Sequence, residues 1–205
     1  MADFINTIDA LGDDAVMDSI INRTITEFKD DRIETVSAYA FYQCTNLVTV
    51  NLPSVTTVGT NAFYGCSALT TLELPNMTNF GKSFISNCSN LISVKLPSVT
   101  VIISWTIDHH KLQFLDLPIV KTIQANGLCN LQSIRAIILR NPDVVCALGG
   151  ALDNYVARAY FYVPAALIED YKIADNWSAY ADRFRALEDY TVDGTITGDL
   201  DKTKI

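Results

Sequence analysis

The 205-residue sequence has few positive charges and no long apolar run. Its 15 Lys and Arg stand against 23 Asp and Glu, which gives a formal net charge of -8. Proteins that bind nucleic acid or anionic membranes use clustered Lys and Arg to replace counterions. No uncharged apolar stretch approaches the ~20 residues needed to cross a bilayer. The sequence therefore predicts neither a nucleic-acid partner nor a membrane partner.

The N-terminal segment also lacks the features of a secretory signal. Residues 1–9, Met-Ala-Asp-Phe-Ile-Asn-Thr-Ile-Asp, contain no basic start, no apolar core and no small-residue cleavage site. The five cysteines are an odd number, and without a secretion route they are expected to be reduced thiols. We therefore expect the chain to be made in the cytoplasm.

Motifs that carry chemistry are missing as well. The sequence has no phosphate-binding Gly-rich loop, no H-E-x-x-H and no G-x-S-x-G. Both histidines lie in Asp108-His109-His110, but neighbouring side chains on an extended segment point apart. No further ligand cluster stands at suitable spacing. The sequence thus predicts no enzyme, no metal site and no cofactor, and a hydrolase using Asp108 and the histidines is the most remote alternative.

What the sequence does contain is a repeat of 22 residues, seen in the segments that begin at Phe41, Phe63 and Ile85. Five columns stay in register: Cys44, Cys66 and Cys88; Leu47, Leu69 and Leu91; Val50, Leu72 and Val94; Leu52, Leu74 and Leu96; Pro53, Pro75 and Pro97. Weaker copies lie upstream at Ile25, Phe28, Ile33 and Val36, and downstream at Leu112, Leu115, Leu117, Ile134, Ile137 and Leu139. The chain therefore has five to six units.

Each unit contains L-x-x-L-x-L, in which the last two apolar residues flank one polar residue and point the same way from a short strand. The proline that follows ends the strand. Stacked coils pair these strands into a parallel sheet, and each coil buries its apolar face only against its neighbours. Because Cys is small, apolar and often buried, the cysteine column is interpreted as core packing and not as a zinc or redox site.

These residues resemble the BspA-like, or Treponema-type, leucine-rich-repeat family, whose unit A-F-x-x-C-x-x-L-x-x-I-x-L-P-x-x-V-x-x-I-G is similar to residues 40–59. The resemblance covers about residues 25–140. It implies an α/β repeat fold, a leucine-rich-repeat solenoid with parallel strands. Family members are linked to adhesion and to binding of matrix or host proteins, and short versions resemble proteins of gut bacteriophages or prophages.

Four segments are predicted along the chain. Residues 1–24 form an N-terminal helical cap with Val16, Ile20 and Ile21 on its apolar side, and residues 25–142 form the solenoid. Residues 143–190 form a C-terminal strand and helix cap: a strand at 157–163, a helix from Pro164 to about Tyr171, a further turn or helix at 175–184, and Trp177 in its core. Residues 191–205 form a Thr- and Asp-rich tail, which is either disordered or a strand that docks on a partner or on copies of itself.

The candidate interaction residues lie on two parts of the coil. Outward strand positions form the ladders Thr49, Thr71, Ser93, Phe114, Ala136 and Asn51, Glu73, Lys95, Asp116, Ile138. Glu73, Lys95 and Asp116 alternate in sign, which predicts cross-strand ion pairs. Sugar-binding platforms display aromatic faces and this face offers only Phe114, so a protein partner is favoured for it. Tyr39, Tyr42 and Tyr64 cluster on a loop edge, either as rim packing or as interface anchors.

The function predicted from these features is non-enzymatic. The leading hypothesis is a protein-binding or structural scaffold that serves as a bacteriophage or prophage virion accessory, such as a head or tail appendage. The alternative is a bacterial module for adhesion or host-protein binding. A homo-oligomer formed through the tail at residues 191–205 is also considered.

Overall fold

The computed structural model describes residues 14–108 and 111–189. Helix α1 (Asp14–Ile21) precedes a series of very short strands, and helix α2 (Ile168–Ile173) lies between the last two of them. Strands β1 to β16 are, in order, Glu27–Lys29, Thr35–Val36, Thr49–Asn51, Thr57–Val58, Thr71–Glu73, Asn79–Phe80, Ser93–Lys95, Val101–Ile102, Ile107–Asp108, Phe114–Leu117, Thr122–Ile123, Leu128–Cys129, Ala136–Leu139, Ala147–Leu148, Tyr160–Val163 and Phe184–Ala186. Single 3₁₀ turns span Val156–Arg158, Ala165–Leu167 and Leu187–Asp189, and a longer 3₁₀ segment, Ser178–Arg183, is kinked at Tyr180.

All strand pairs are parallel and join equivalent positions of successive coils. The longest sheet has the order β5, β7, β10, β13, β15, β16, and β1 pairs with β3 at its N-terminal side. A second wall holds the sheets β2–β4–β6 and β8–β11–β14, and β9 pairs with β12. In the second wall Thr35 lies opposite Thr57, which lies opposite Asn79. The predicted repeat fold of parallel strands is confirmed.

Side chains that follow Pro75 and Pro97 tie one coil to the next. Asn76 donates its amide N–H to the carbonyl of Pro53 at 2.8 Å, and Ser98 donates its hydroxyl to the carbonyl of Pro75 at 2.6 Å. Prolines end the strands because they supply no backbone N–H, and these side chains satisfy the carbonyls that the turn leaves. These short polar residues thus form the turn of their own coil and bind it to the turn of the preceding coil.

One apolar core runs through the coils from Ile20 to Phe184. The leucine column and the opposite wall both face it, so each coil closes around its own layer of side chains. Fully buried members include Leu47, Leu69, Leu91, Leu52, Leu74, Leu96, Val55, Met77, Val99 and Val120. Burying each such side chain contributes about 1.5–3 kcal/mol. The leucine and cysteine columns found in the sequence run along this core and contribute one side chain to each layer.

The cysteine column lies inside the core. Cys44, Cys66 and Cys88 are buried free thiols, and Cys66 and Cys88 donate S–H to the carbonyls of Phe41 and Phe63, both at 3.1 Å. Burial raises the pKa of the Cys44 thiol to about 11. These thiols pack against the preceding coil and are poor nucleophiles at neutral pH because the thiolate is the reactive form.

Two glycines mark where successive coils approach most closely. A Cβ on Gly59 would lie 2.2 Å from the backbone nitrogen of Ala38, and one on Gly81 would lie 2.3 Å from that of Thr60. Their amides donate to the carbonyls of Val36 and Val58 one coil earlier. Only glycine permits this contact, since the obstructing atoms are backbone and cannot rotate away.

The C-terminal coils end in an aromatic cluster. Trp177 is buried as predicted and donates its indole N–H to the carbonyl of Cys146. Its ring lies 5.1 Å from that of Phe161 and 5.7 Å from that of Phe184, edge to face. Tyr171 accepts a hydrogen bond from the Cys146 amide at 2.8 Å. Aromatic side chains therefore cover the last layer of the core, in the place where a further leucine-rich coil would otherwise stack.

Four expectations for the ends need correction. The predicted strand at 157–163 begins only at Tyr160, after a 3₁₀ turn, and the helix predicted from Pro164 is a 3₁₀ turn followed by α2. Phe184 begins strand β16 and does not end a helix. In α1, Ile20 is buried but Ile21 is 57% exposed, because adjacent residues on one turn face different directions. The segment boundaries stay predictions, and the tail at 191–205 lies outside the described residues.

We expect Gly81→Ala to destabilise the protein by about 2–3 kcal/mol, because the new methyl group collides with backbone of the preceding coil. Gly65→Asn is the matched control. Gly65 has φ +74°, but Gln43, Asn87 and Asn130 adopt φ of 56°, 59° and 54° at the same place in other coils, so Asn should change stability by less than about 0.5 kcal/mol. Urea denaturation measures both. Equal effects of the two variants would contradict the close-approach assignment.

The thiols provide a second prediction. Native protein should react slowly with an aromatic disulfide reagent at Cys44, Cys66 and Cys88, and all five cysteines should react at once in denaturant. Thr70→Cys, at an exposed position, is the control that should react without denaturant. Rapid native labelling of the three column cysteines would show that the column does not face the core.

Candidate interaction surfaces

Two surfaces bring the candidate residues together. The sheet face consists of the outward residues of β3, β5, β7 and β10: Thr49, Asn51, Thr71, Glu73, Ser93, Lys95, Phe114 and Asp116. The aromatic edge consists of the coil segments 37–43, 59–65, 81–87, 103–108 and 124–130, which precede the turn into the long sheet. Tyr39, Tyr42 and Tyr64 lie on the aromatic edge, and the other five candidates lie on the sheet face.

Charges on the sheet face pair across strands. Lys95 lies opposite Glu73, and its Nζ is 3.1 Å from Glu73 Oε2. Lys95 also lies opposite Asp116 in register, but the carboxylate of Asp116 pairs with Arg140, whose Nη2 is 2.8 Å away and whose Nε also donates to it. Of the two predicted ion pairs, Glu73–Lys95 forms and Lys95–Asp116 does not. Exposed pairs contribute less than about 1 kcal/mol, so these charges are available for recognition.

The C-terminal part of the long sheet is covered on its outward side, contrary to the predicted ladders. Ala136 and Ile138 are buried and form a second small cluster with Tyr162, against which Phe114, Tyr160 and Leu187 pack. The Arg185 guanidinium lies 4.5 Å above the Tyr160 ring. The sequence carried a signal for this, because Ala136-Ile-Ile-Leu139 is apolar at every position, as in strands buried on both sides. The exposed sheet face is therefore its N-terminal part, and Phe114 is half-buried at the boundary.

Backbone geometry defines the aromatic edge. Four of the described coils turn through two left-handed positions four residues apart, and Trp105 is the first such position of a fifth coil. The first column holds Tyr39, Asn61, Ser83, Trp105 and Asn126, with φ of 54° to 62°, and the second holds Gln43, Gly65, Asn87 and Asn130. Left-handed backbone costs an ordinary residue about 1–2 kcal/mol, and Gly and Asn tolerate it best. Tyr39 and Trp105 are thus bulky aromatics at positions that favour Asn.

The three tyrosines form one stack. The rings of Tyr42 and Tyr64 are parallel to within 15°, with centroids 5.2 Å apart, and Tyr39 meets Tyr42 edge to face at 5.6 Å. Tyr64 Oη accepts a hydrogen bond from the side-chain amide of Asn87. Directly beneath, Phe41 and Phe63 stack inside the core at 5.1 Å. The inner rings and the cross-coil bonds from the Phe41 and Gln43 amides, both 2.7 Å, fix the position of the outer rings.

Trp105 is an aromatic of this edge that the sequence did not single out. It lies three 22-residue repeats after Tyr39 in the same column, and 49% of it is exposed. Its amide donates to the carbonyl of Asn126 and its carbonyl accepts from the amide of Ser83, which stacks it between two coils. Comparison of the first left-handed column across repeats would have identified it.

The groove beside the stack is open and polar. Gln43, Thr45, Tyr64, Gly65, Ser67 and Asn87 line it with Arg23, and its volume is about 510 Å³. Asp108 ends β9 half-buried, whereas His109 and His110 lie outside the described residues. Over residues 14–108 and 111–189, no three His, Cys, Asp or Glu side chains converge as metal ligands. The helices in those ranges are too short to cross a bilayer.

Comparison with solved structures finds bacterial proteins, among them leucine-rich repeat proteins. A leucine-rich repeat protein from Eubacterium ventriosum is 25% identical over 55% of this chain and 32% of its own, with a TM-score of 0.46. A leucine rich cell surface protein from Faecalibacterium prausnitzii is 20% identical over 71% of this chain and 43% of its own, with a TM-score of 0.43. The pneumococcal vaccine antigen PcpA is 14% identical over 79% and 43%, with a TM-score of 0.39.

This chain therefore spans less than half the length of these three proteins. A comparison with curated proteins gives no match. The model of the BspA type leucine rich repeat region matches in six copies over residues 12–135, which is more than half of the chain. Together with the buried leucine columns and the parallel coils, this match shows that the chain belongs to the BspA-type leucine-rich repeat family.

Proposed function

We propose that the chain is a non-enzymatic scaffold that binds a protein partner through the exposed part of its sheet face. The observation that carries the proposal is the row of exposed Thr71, Glu73 and Lys95 on strands whose other side is fully fixed in the core. Core packing determines every second residue of these strands. The intervening residues contribute little to folding and can vary to suit a partner.

The shape and chemistry of the sheet face suit a protein better than a small molecule. Parallel strands present Thr49, Thr71, Ser93 and their neighbours as a slightly twisted surface. The groove at its N-terminal end, about 430 Å³, is open and lined mainly by polar and charged residues: Lys29, Asp30, Asp31, Arg32, Asn51 and Pro53. Small ligands bind in concave, mostly apolar pockets. Opposite charges at Glu73 and Lys95 would steer a complementary partner and set its register more than they would raise affinity.

The partner distinguishes two forms of this function. A virion head or tail protein as partner corresponds to a bacteriophage or prophage accessory, the leading hypothesis from the sequence. A host matrix or cell-surface protein corresponds to an adhesion module. Both forms use the chain as a rigid support, and both leave the thiols and the ionisable groups without a chemical role. A hydrolase using Asp108 and the neighbouring histidines would instead require a converging set of catalytic groups at β9.

Site-specific photocrosslinking tests the proposal. A photoreactive phenylalanine analogue at Thr71, on the sheet face, should capture one defined protein in the cells or particles that contain the chain. The same analogue at Thr78, an equally exposed threonine on the second wall, should not capture it. If Thr71 contacts the partner, the substitution Thr71→Arg in this chain should weaken binding roughly tenfold, the equivalent of about 1.4 kcal/mol. Identical products from positions 71 and 78, or none from either, would contradict binding through the sheet face.

A further inference from the structure

We propose that the aromatic edge is a second binding site, for a neutral oligosaccharide, with Tyr39 and Trp105 as its anchors. This inference is independent of the sheet face, because it concerns another side of the coil and another class of ligand. It depends on three observations: aromatics at strained backbone positions, a surface nearly without charge, and a row of amide and hydroxyl groups between the aromatic rings.

The first observation is that folding does not explain the two anchors. Tyr39 (φ +62°) and Trp105 (φ +59°) occupy the left-handed column in which Asn61 and Asn126 show the residue that suits the backbone. Both are largely solvent-facing, with 54% and 49% of their surface exposed. Strained conformations persist where they serve binding or catalysis. An exposed ring held at a strained position indicates a ligand contact.

Charge is the second observation. Among the five segments of the aromatic edge, Lys82 and Asp108 are the charged residues, and Arg23 lines the groove beside these segments, although 19% of the whole chain is charged. The rest of the edge is Tyr, Trp, Phe, Ser, Thr, Asn, Gln, Gly and apolar residues. A phosphorylated, sulfated or acidic ligand would require a basic cluster, so the edge complements an uncharged molecule.

The third observation is the arrangement of hydrogen-bonding groups. Asn61 and Ser83 lie between the anchors in the same column, and Gln43 and Asn87 lie in the second column beside the open groove. Amide and hydroxyl side chains both donate and accept, as sugar hydroxyls do. Tyr64 accepts its bond from Asn87, which leaves the phenolic O–H proton for a further acceptor.

Sugar rings also match the aromatic geometry. The negative face of an aromatic ring attracts the weakly positive C–H bonds on the flat side of a pyranose. Tyr42 and Tyr64 cover one another's faces, so the more exposed rings of Tyr39 and Trp105 are the platforms. Three coil steps separate them, roughly 14 Å at the strand spacing of parallel sheets. A short oligosaccharide lying along the solenoid axis would reach both.

The strain at the anchors can be measured without a ligand. Trp105→Gly should melt roughly 2–4 °C above Trp105→Ala, because both remove the indole and only Gly relieves the left-handed backbone. The order should reverse at Tyr155, an exposed tyrosine with φ -83°, where Gly only loosens the chain. If Ala equals or exceeds Gly at Trp105, the anchors are unstrained and the assignment is overturned.

Binding is tested with defined sugars on the full chain. The probes are glucose hexamers with β-1,4 and α-1,4 links, a β-1,4 N-acetylglucosamine hexamer and, as the charged comparison, sialyllactose. We expect at least one neutral probe to shift the Trp105 indole resonance by NMR, with affinity unchanged between low and high salt. Trp105→Asn and Tyr39→Asn should each weaken binding at least fivefold, and Tyr155→Asn should leave it unchanged.

Four results would overturn the proposal. The first is the absence of binding by every neutral probe, and the second is stronger binding of sialyllactose than of the neutral probes. The third is neutral-sugar binding that neither Trp105→Asn nor Tyr39→Asn weakens. The fourth is a photocrosslink from position 105 to a protein, which would make the edge a protein interface. None of these results affects the sheet face, whose partner is tested at positions 71 and 78.

Discussion

The structure depends on backbone hydrogen bonds that join each coil to the next at equivalent positions. Strands of two to four residues are too short to be stable alone, and the turns between them have no regular helix or strand of their own. Both become ordered because amides such as those of Phe63 and Gly65 donate to carbonyls of the following coil, at 2.7 and 2.9 Å. Gly59 and Gly81 permit this approach, and the leucine layers hold it together.

Because the coils stack in register, residues at the same position of successive repeats become neighbours on the same side of the surface. Tyr42 and Tyr64 meet only because the same position recurs one coil later, and Glu73 meets Lys95 for the same reason. Residues that face inward and residues on the two outward surfaces of the solenoid therefore have different roles. Inward columns maintain the fold. We propose a protein partner for the sheet face and a neutral sugar for the aromatic edge.

The features that repeat could be predicted from the sequence. The leucine, cysteine and valine columns predicted the core, and the tyrosines were placed together because their spacing equals the period. Features formed by one coil only could not be predicted in this way. Asp116 pairs with Arg140 instead of Lys95, and Leu187 packs against the cluster of Ala136 and Ile138. Neither contact recurs in the other coils that the structure describes. Trp105 was missed for another reason: its column is defined by backbone φ and not by residue type.

Amide hydrogen exchange tests the central role of the coil-to-coil bonds most directly. The amides of Phe41, Gln43 and Phe63 lie in turns, yet each donates to a carbonyl one coil away. The account predicts that they exchange as slowly as the amide of Leu72 in β5, since all open only when neighbouring coils separate. If these turn amides instead exchange at the rate of an open loop while Leu72 remains protected, the edge is not held by stacking, and the account of the fold would be wrong.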